Sequence, residues 1–109
     1  TDDLDMASLA HRLGLPLLVV ARDGLGTINH TLLTLEAAAR RDLTVAGVVL
    51  CGAASGTLAG DAERNAFEIS RRAAAPVLGI LPHQPDLTPT ALARAAETHL
   101  ARALADLLP

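Results

Sequence analysis

Two glycines give this sequence its clearest chemistry. In Gly24-Leu25-Gly26-Thr27-Ile28-Asn29 they flank a leucine, precede a threonine, and open a run with helical spacing. Glycine lets the backbone turn tightly and leaves amide groups uncovered. Thr27 is the expected N-cap, its hydroxyl accepting an amide two or three residues on. The first-turn N–H groups then point outward with the positive end of the helix dipole. A strand, a glycine turn and a helix start together make a seat for an anion. On spacing alone, a plain capped helix after a tight turn accounts for the same residues.

The other reactive side chains carry less. Cys51 has no neighbouring base in the sequence and reads as a small strand-end residue rather than a nucleophile. His11, His83 and His99 pair neither with one another nor with Cys51 at metal-ligand spacing, and His30 reads as a helix-surface residue. Arg40-Arg41 and Arg71-Arg72 read as solvated helix ends. All nine basic residues are arginine, so a phosphoryl-transfer mechanism that uses a P-loop lysine cannot be complete within these residues.

The elements that must position the glycine turn follow from periodicity and punctuation. Asp5 caps a short helix with Met6, Leu9, Ala10 and Leu13 on one face, Gly14 is its left-handed stop, and Pro16 prevents resumption. Residues 17–20 form a continuous apolar run, the pattern of a strand covered on both faces. The helix after the glycine turn runs from Thr27 to about Arg41, with Ile28, Leu32, Leu35 and Ala39 at helical spacing. Residues 43–50 are a second buried strand ending at Cys51-Gly52, and residues 52–60 read as a mobile loop. A third helix starts near Asp61, with Ala62, Ala66, Ile69 and Ala73 inward and Phe67 beside them. Residues 76–81 are a third strand, closed by Pro82 and a short loop. Thr88-Pro89 is a cap with proline at the first helical position, and the last helix carries Leu92, Ala96, Leu100, Leu104 and Leu107 on one stripe.

Strands alternating with helices are the signature of βαβ units and a parallel sheet. Three strands make a narrow one, with at least one edge open, so the fold class is α/β: a parallel three-stranded part of a doubly wound sheet with flanking helices. The 109 residues form one domain or a piece of one. With one Phe and no Trp or Tyr, the chain offers no aromatic platform for single-stranded nucleic acid, and a net charge of −3 gives no pull towards nucleic acid or an anionic membrane. No apolar run approaches the roughly 20 residues of a membrane helix. A lone cysteine and an acidic start without a signal-peptide pattern suit a cytoplasmic setting.

Residues 15–37, with the Gly24-Leu25-Gly26-Thr27-Ile28-Asn29-His30 run at their centre, resemble the strand, loop and helix of the dethiobiotin synthetase family. Residues 43–50 and 75–82 fit the same pattern, so the resemblance covers nearly all of the chain up to Pro82. The glycine turn followed by Asn29-His30 is the specific part, whereas the later strands are shared by related nucleotide-binding folds. The resemblance implies a P-loop NTPase-like, Rossmann-like sheet of which residues 1–109 are a C-terminal segment. The P-loop, its lysines and the magnesium ligands would lie in a separate N-terminal half.

The family forms the ureido ring of dethiobiotin, in biotin biosynthesis, from diaminopelargonic acid, CO2 and ATP with Mg2+. Its members are homodimers with substrate at the interface. By this resemblance Gly24, Leu25, Gly26, Thr27, Ile28 and Asn29 seat the substrate's carboxylate tail, with Gly26, Thr27 and Asn29 the foremost contacts, largely through backbone amides. The base side of the nucleotide falls to Cys51, Gly52, Pro82, His83 and Gln84. Cys51 stands where many members have an asparagine that reads adenine, and a thiol cannot present a donor and an acceptor in that way. This segment alone would be catalytically inactive. Two other readings are a degenerate, non-catalytic domain of this fold acting as a ligand-binding or interaction module, and another amide synthase or ATPase of the same superfamily. The Gly24-Leu25-Gly26-Thr27-Ile28-Asn29-His30 run disfavours the latter.

Overall fold

A computed structural model of the chain describes residues 5–52 and 61–107. Its elements are α1 (Met6–Leu13), β1 (Leu17–Arg22), α2 (Thr27–Arg40), β2 (Val45–Cys51), α3 (Asp61–Arg72), β3 (Val77–Leu81), α4 (Pro89–His99) and α5 (Ala101–Ala105). The expected mobile loop, residues 52–60, lies outside the described residues from position 53 on.

The caps follow the sequence. Asp5 Oδ1 accepts from the Ser8 amide at 2.7 Å, and Gly14 closes α1 in the left-handed region. Thr88 Oγ1 accepts from the Ala91 amide at 3.3 Å, with Pro89 opening α4.

The three strands are parallel and lie in the order β1-β2-β3. Each βαβ crossover is right-handed as a rule, and both step the same way across the sheet, so α2 and α3 share one face. They pack on each other, α2 also on β1 and α3 on β2 and β3. Beneath them lie Val48 and Leu50, both with no exposure, and Ile69 of α3 meets them, equally buried. Helices α4 and α5 pack on β3, and at their junction His99 O and the Leu100 side chain come close to Gly79.

Four expectations need correction. β1 is not covered on both faces: Leu17, Val19 and Ala21 are half-buried, while Leu18, Val20 and Arg22 are exposed. Register explains it, because Val20 lies level with Val49 and Gly79, and α4–α5 shield the β3 end of that row but not its β1 end. The buried side of α2 is Thr27, Thr31 and Ala38, one position back from the expected stripe; Ile28 and Leu32 turn to the gap beside α3, and Ala39 is exposed. Phe67 is 64 % exposed instead of joining the inner face of α3. The single last helix is two, broken at Leu100 (φ −126°), where the chain turns its leucine onto Gly79.

Candidate functional site

All the residues singled out for binding sit at the carboxyl ends of the three parallel strands, the end at which open α/β sheets take ligands. At β1 the ladder runs one residue past the strand, the Asp23 amide donating to Cys51 O at 2.7 Å. Asp23 is only 2 % exposed, and its Oδ1 accepts from Asn65 Nδ2 of α3 at 2.6 Å. A buried carboxylate needs such a donor. The strand end is thereby pinned to α3 before the glycine turn starts.

The turn closes through Thr27 N–H donating to Gly24 O at 3.1 Å, with Leu25 fully exposed at its tip. Gly26 has φ 86° and ψ 0°, a left-handed conformation suited to glycine, and it is the N-cap of α2. Thr27 is therefore the first helical residue and not the cap, which corrects the sequence expectation. Its side chain is turned into the protein, with 5 % exposure. Among the described residues no side chain caps α2 and no acceptor meets the Ile28 or Asn29 amide. Those donors and the positive end of the helix dipole are left facing outward. The His30 ring lies on the helix surface against Gly26, 3.3 Å from where a Cβ would stand.

Gly24, Leu25, Gly26, Thr27, Ile28 and Asn29 all line one cleft of about 720 Å³ between the start of α2 and the facing side of α3. Leu32 supplies an apolar wall, and α3 adds Asp61, Arg64, Asn65 and Arg72. The rim thus combines uncapped amides, the guanidinium groups of Arg64 and Arg72 (the latter also paired with Glu68 at 3.2 Å), the Asp61 carboxylate and a short apolar strip, a set that can seat an anion on an aliphatic chain. Sequence reasoning missed the α3 contribution and Asp23. The available signal was Asp61, Asn65, Glu68 and Arg72 recurring at helical spacing as a polar stripe alongside Ile69.

The second set meets at the ends of β2 and β3. The Gly52 amide donates to Leu81 O at 2.7 Å, and a Cβ on Gly52 would stand 2.8 Å from the His83 backbone nitrogen, so only glycine allows that approach. Gln84 Nε2 donates to Pro82 O at 2.7 Å, and its side-chain oxygen meets no donor among the described residues. Cys51 is half-buried beside them. Cys51, Gly52, Pro82, His83 and Gln84 are therefore gathered together, but none of them lines the α2–α3 cleft. As a place for a nucleotide they fit the edge of a base through backbone groups and one side-chain amide. They do not fit a triphosphate, since the chain contains no lysine.

A parallel sheet flanked by helices, with a glycine turn and an open helix start at its carboxyl edge, belongs to the P-loop NTPase-like class of α/β folds. The chain is a member of the AAA_26 family, whose model, described as an AAA domain, matches residues 1–91. Curated proteins named ATP-dependent dethiobiotin synthetase BioD are similar to it. That of Anaeromyxobacter dehalogenans strain 2CP-1 is 51% identical over 84 residues, 74% of this chain and 36% of the relative. That of Bacillus thuringiensis strain Al Hakam is 44% identical over 82 residues, 75% of this chain and 34% of the relative. The chain thus spans about a third of the length of these relatives. No helix among the described residues is long and apolar enough to cross a membrane.

Proposed function

We propose that this chain is the substrate-tail and base-side part of a cytoplasmic ATP-dependent dethiobiotin synthetase. The complete enzyme, a homodimer with Mg2+, closes the ureido ring of diaminopelargonic acid with CO2. The observation that carries this reading is the start of α2, uncapped by any side chain among the described residues and open to the α2–α3 cleft. Relatives bearing that enzyme name at 44–51% identity support it.

In this role the amides of Ile28 and Asn29 hold the carboxylate tail, the Gly24–Gly26 turn keeps side chains out of its way, and Leu32 packs against the aliphatic chain. Fixing the tail holds the diamine end in register with CO2 and ATP, so that carbamate formation and its phosphorylation occur between oriented partners; the second amine of the same molecule then closes the ring and phosphate leaves. ATP supplies the phosphoryl group that activates the carbamate. Gly52, His83 and Gln84 would hold the base edge of the nucleotide, with Cys51 as a wall, while the phosphates and Mg2+ fall to a P-loop-bearing half. This chain alone is catalytically inactive.

The test is direct binding to the enzyme reconstituted from this chain and a P-loop-bearing segment. Diaminopelargonic acid should bind at least tenfold more tightly than its methyl ester, which lacks the anionic tail, and dethiobiotin should form. Equal affinity for acid and ester would remove the carboxylate role.

A further inference from the structure

The two guanidinium groups on the rim of the α2–α3 cleft stand differently. Arg72 is already engaged, its Nη2 lying 3.2 Å from Glu68 Oε2 one turn back. Arg64 pairs with no carboxylate among the described residues. Asp61 lines the same cleft three positions earlier, a spacing at which opposite charges on a helix commonly meet, yet the two make no ion pair. The guanidinium of Arg64 is thus a planar fork of five donors that stands beside the uncapped start of α2 without an acid of its own among these residues.

The next residue keeps Arg64 there. Asn65 Nδ2 donates to the buried Asp23 carboxylate at 2.6 Å, and Asp23 directly precedes Gly24. That bond ties the early part of α3 to the strand end from which the glycine turn springs. Helices α2 and α3 follow parallel strands on one face of the sheet, so both bring their amino-terminal ends to its carboxyl edge. Ile28 and Asn29 are the second and third residues of α2, and Arg64 is the fourth of α3. The Asp23–Asn65 bond therefore fixes the gap between the amides on one wall of the cleft and the guanidinium on the other.

We propose that Arg64 is a specificity-determining residue of this site: its guanidinium holds the carboxylate tail from α3 while the Ile28 and Asn29 amides hold it from α2. This role rests on the functional reading above and adds to it the source of the charge selection. Backbone amides donate to any acceptor, and the carbonyl of an ester satisfies them as well as a carboxylate oxygen does. A guanidinium fork matches the two oxygens of an ionised carboxylate and gains far less from an ester. Arg64, more than the amides, thus separates acid from ester. Arg72, held by Glu68, is not required for that discrimination.

Equilibrium binding and steady-state kinetics test it on the enzyme reconstituted from this chain and a P-loop-bearing segment, with diaminopelargonic acid and its methyl ester as probes. Arg64→Gln should weaken binding of the acid about tenfold and leave that of the ester unchanged, so that the preference for the acid shrinks by the same factor. The KM for the acid should rise with kcat at saturation unchanged, because the lost contact is to the tail and not to the reacting amines. Arg64→Lys, which keeps the charge without the fork, should fall between the parent and Arg64→Gln. Arg94→Gln removes the same charge from α4, packed on β3, and should change neither affinity. A preference for the acid that survives Arg64→Gln intact overturns the inference and leaves the functional reading standing. Equal losses for acid and ester would make Arg64 a purely structural residue and overturn it as well. A parent enzyme that binds acid and ester alike overturns the functional reading and this role together.

Discussion

Gly26 holds the one backbone conformation on which the proposed carboxylate seat depends. Its φ of 86° is where a Cβ meets the following carbonyl, and the His30 ring already occupies the adjoining space at 3.3 Å. Gly26→Ala should destabilise the chain by about 1–2 kcal/mol in urea titrations. Rotation of the turn should also misdirect the Ile28 and Asn29 amides and weaken diaminopelargonic acid binding. An unchanged midpoint would show that the turn tolerates a side chain. Asp23 and Asn65 offer a second measurement. Asn65→Ala leaves a carboxylate of 2 % exposure without its donor and should cost about 1–3 kcal/mol, part of which Asp23→Asn in the same chain restores. This pair shows where sequence reading stops at the residue scale. Gly24, Gly26 and Asn29 announce themselves by type and spacing. That Asn65, 42 positions from Asp23, reaches back to hold the strand end depends on how α3 lies on the sheet, which no local pattern encodes.

At the scale of elements, α1 hangs on a single residue. Asp5 caps it through the Ser8 amide and reaches Arg41 Nη1, past the end of α2, with its other oxygen at 2.7 Å. The Arg41 guanidinium first, and the Ser8 amide second, hold the Asp5 carboxyl well below the usual carboxylate range. A depressed folded value stabilises the native state above the unfolded value of about 3.9, and that contribution fades as acid drives pH below it. Amide protection in α1 should therefore fall as pH drops below about 4, before that of β2. Asp5→Asn, which keeps a capping oxygen but loses the charge, should flatten the pH dependence. Protection that falls together in α1 and β2 would show that α1 is not an independent unit. Caps such as Asp5 and Thr88 were legible because the signal lies within three residues. The break at Leu100 was not, because leucine at helical spacing reads as continuation, and the competing pull comes from Gly79 on a distant strand. Nor was the open face of β1, since an apolar run records what a strand buries in its full setting and not which neighbours are present.

For the molecule as a whole, stability is concentrated in one layer. Leu50, Ile69 and Val48 are the largest fully buried side chains among the described residues, all between the sheet and α2–α3, while Leu18, Val20, Met6 and Leu13 remain uncovered. Domains of this size are stable by about 5–15 kcal/mol, and a chain with one well-packed layer belongs near the bottom of that range. Ile69→Ala should therefore cost about 2–5 kcal/mol, which at its upper end leaves much of the isolated chain unfolded. Val20→Ala, at 62 % exposure, should change the isolated chain by less than about 0.5 kcal/mol. Urea titration of both variants, read by circular dichroism, separates the two sites. If Val20→Ala were as damaging in the isolated chain as Ile69→Ala, the outer face of β1 would already be part of the core, and the one-sided architecture would be wrong.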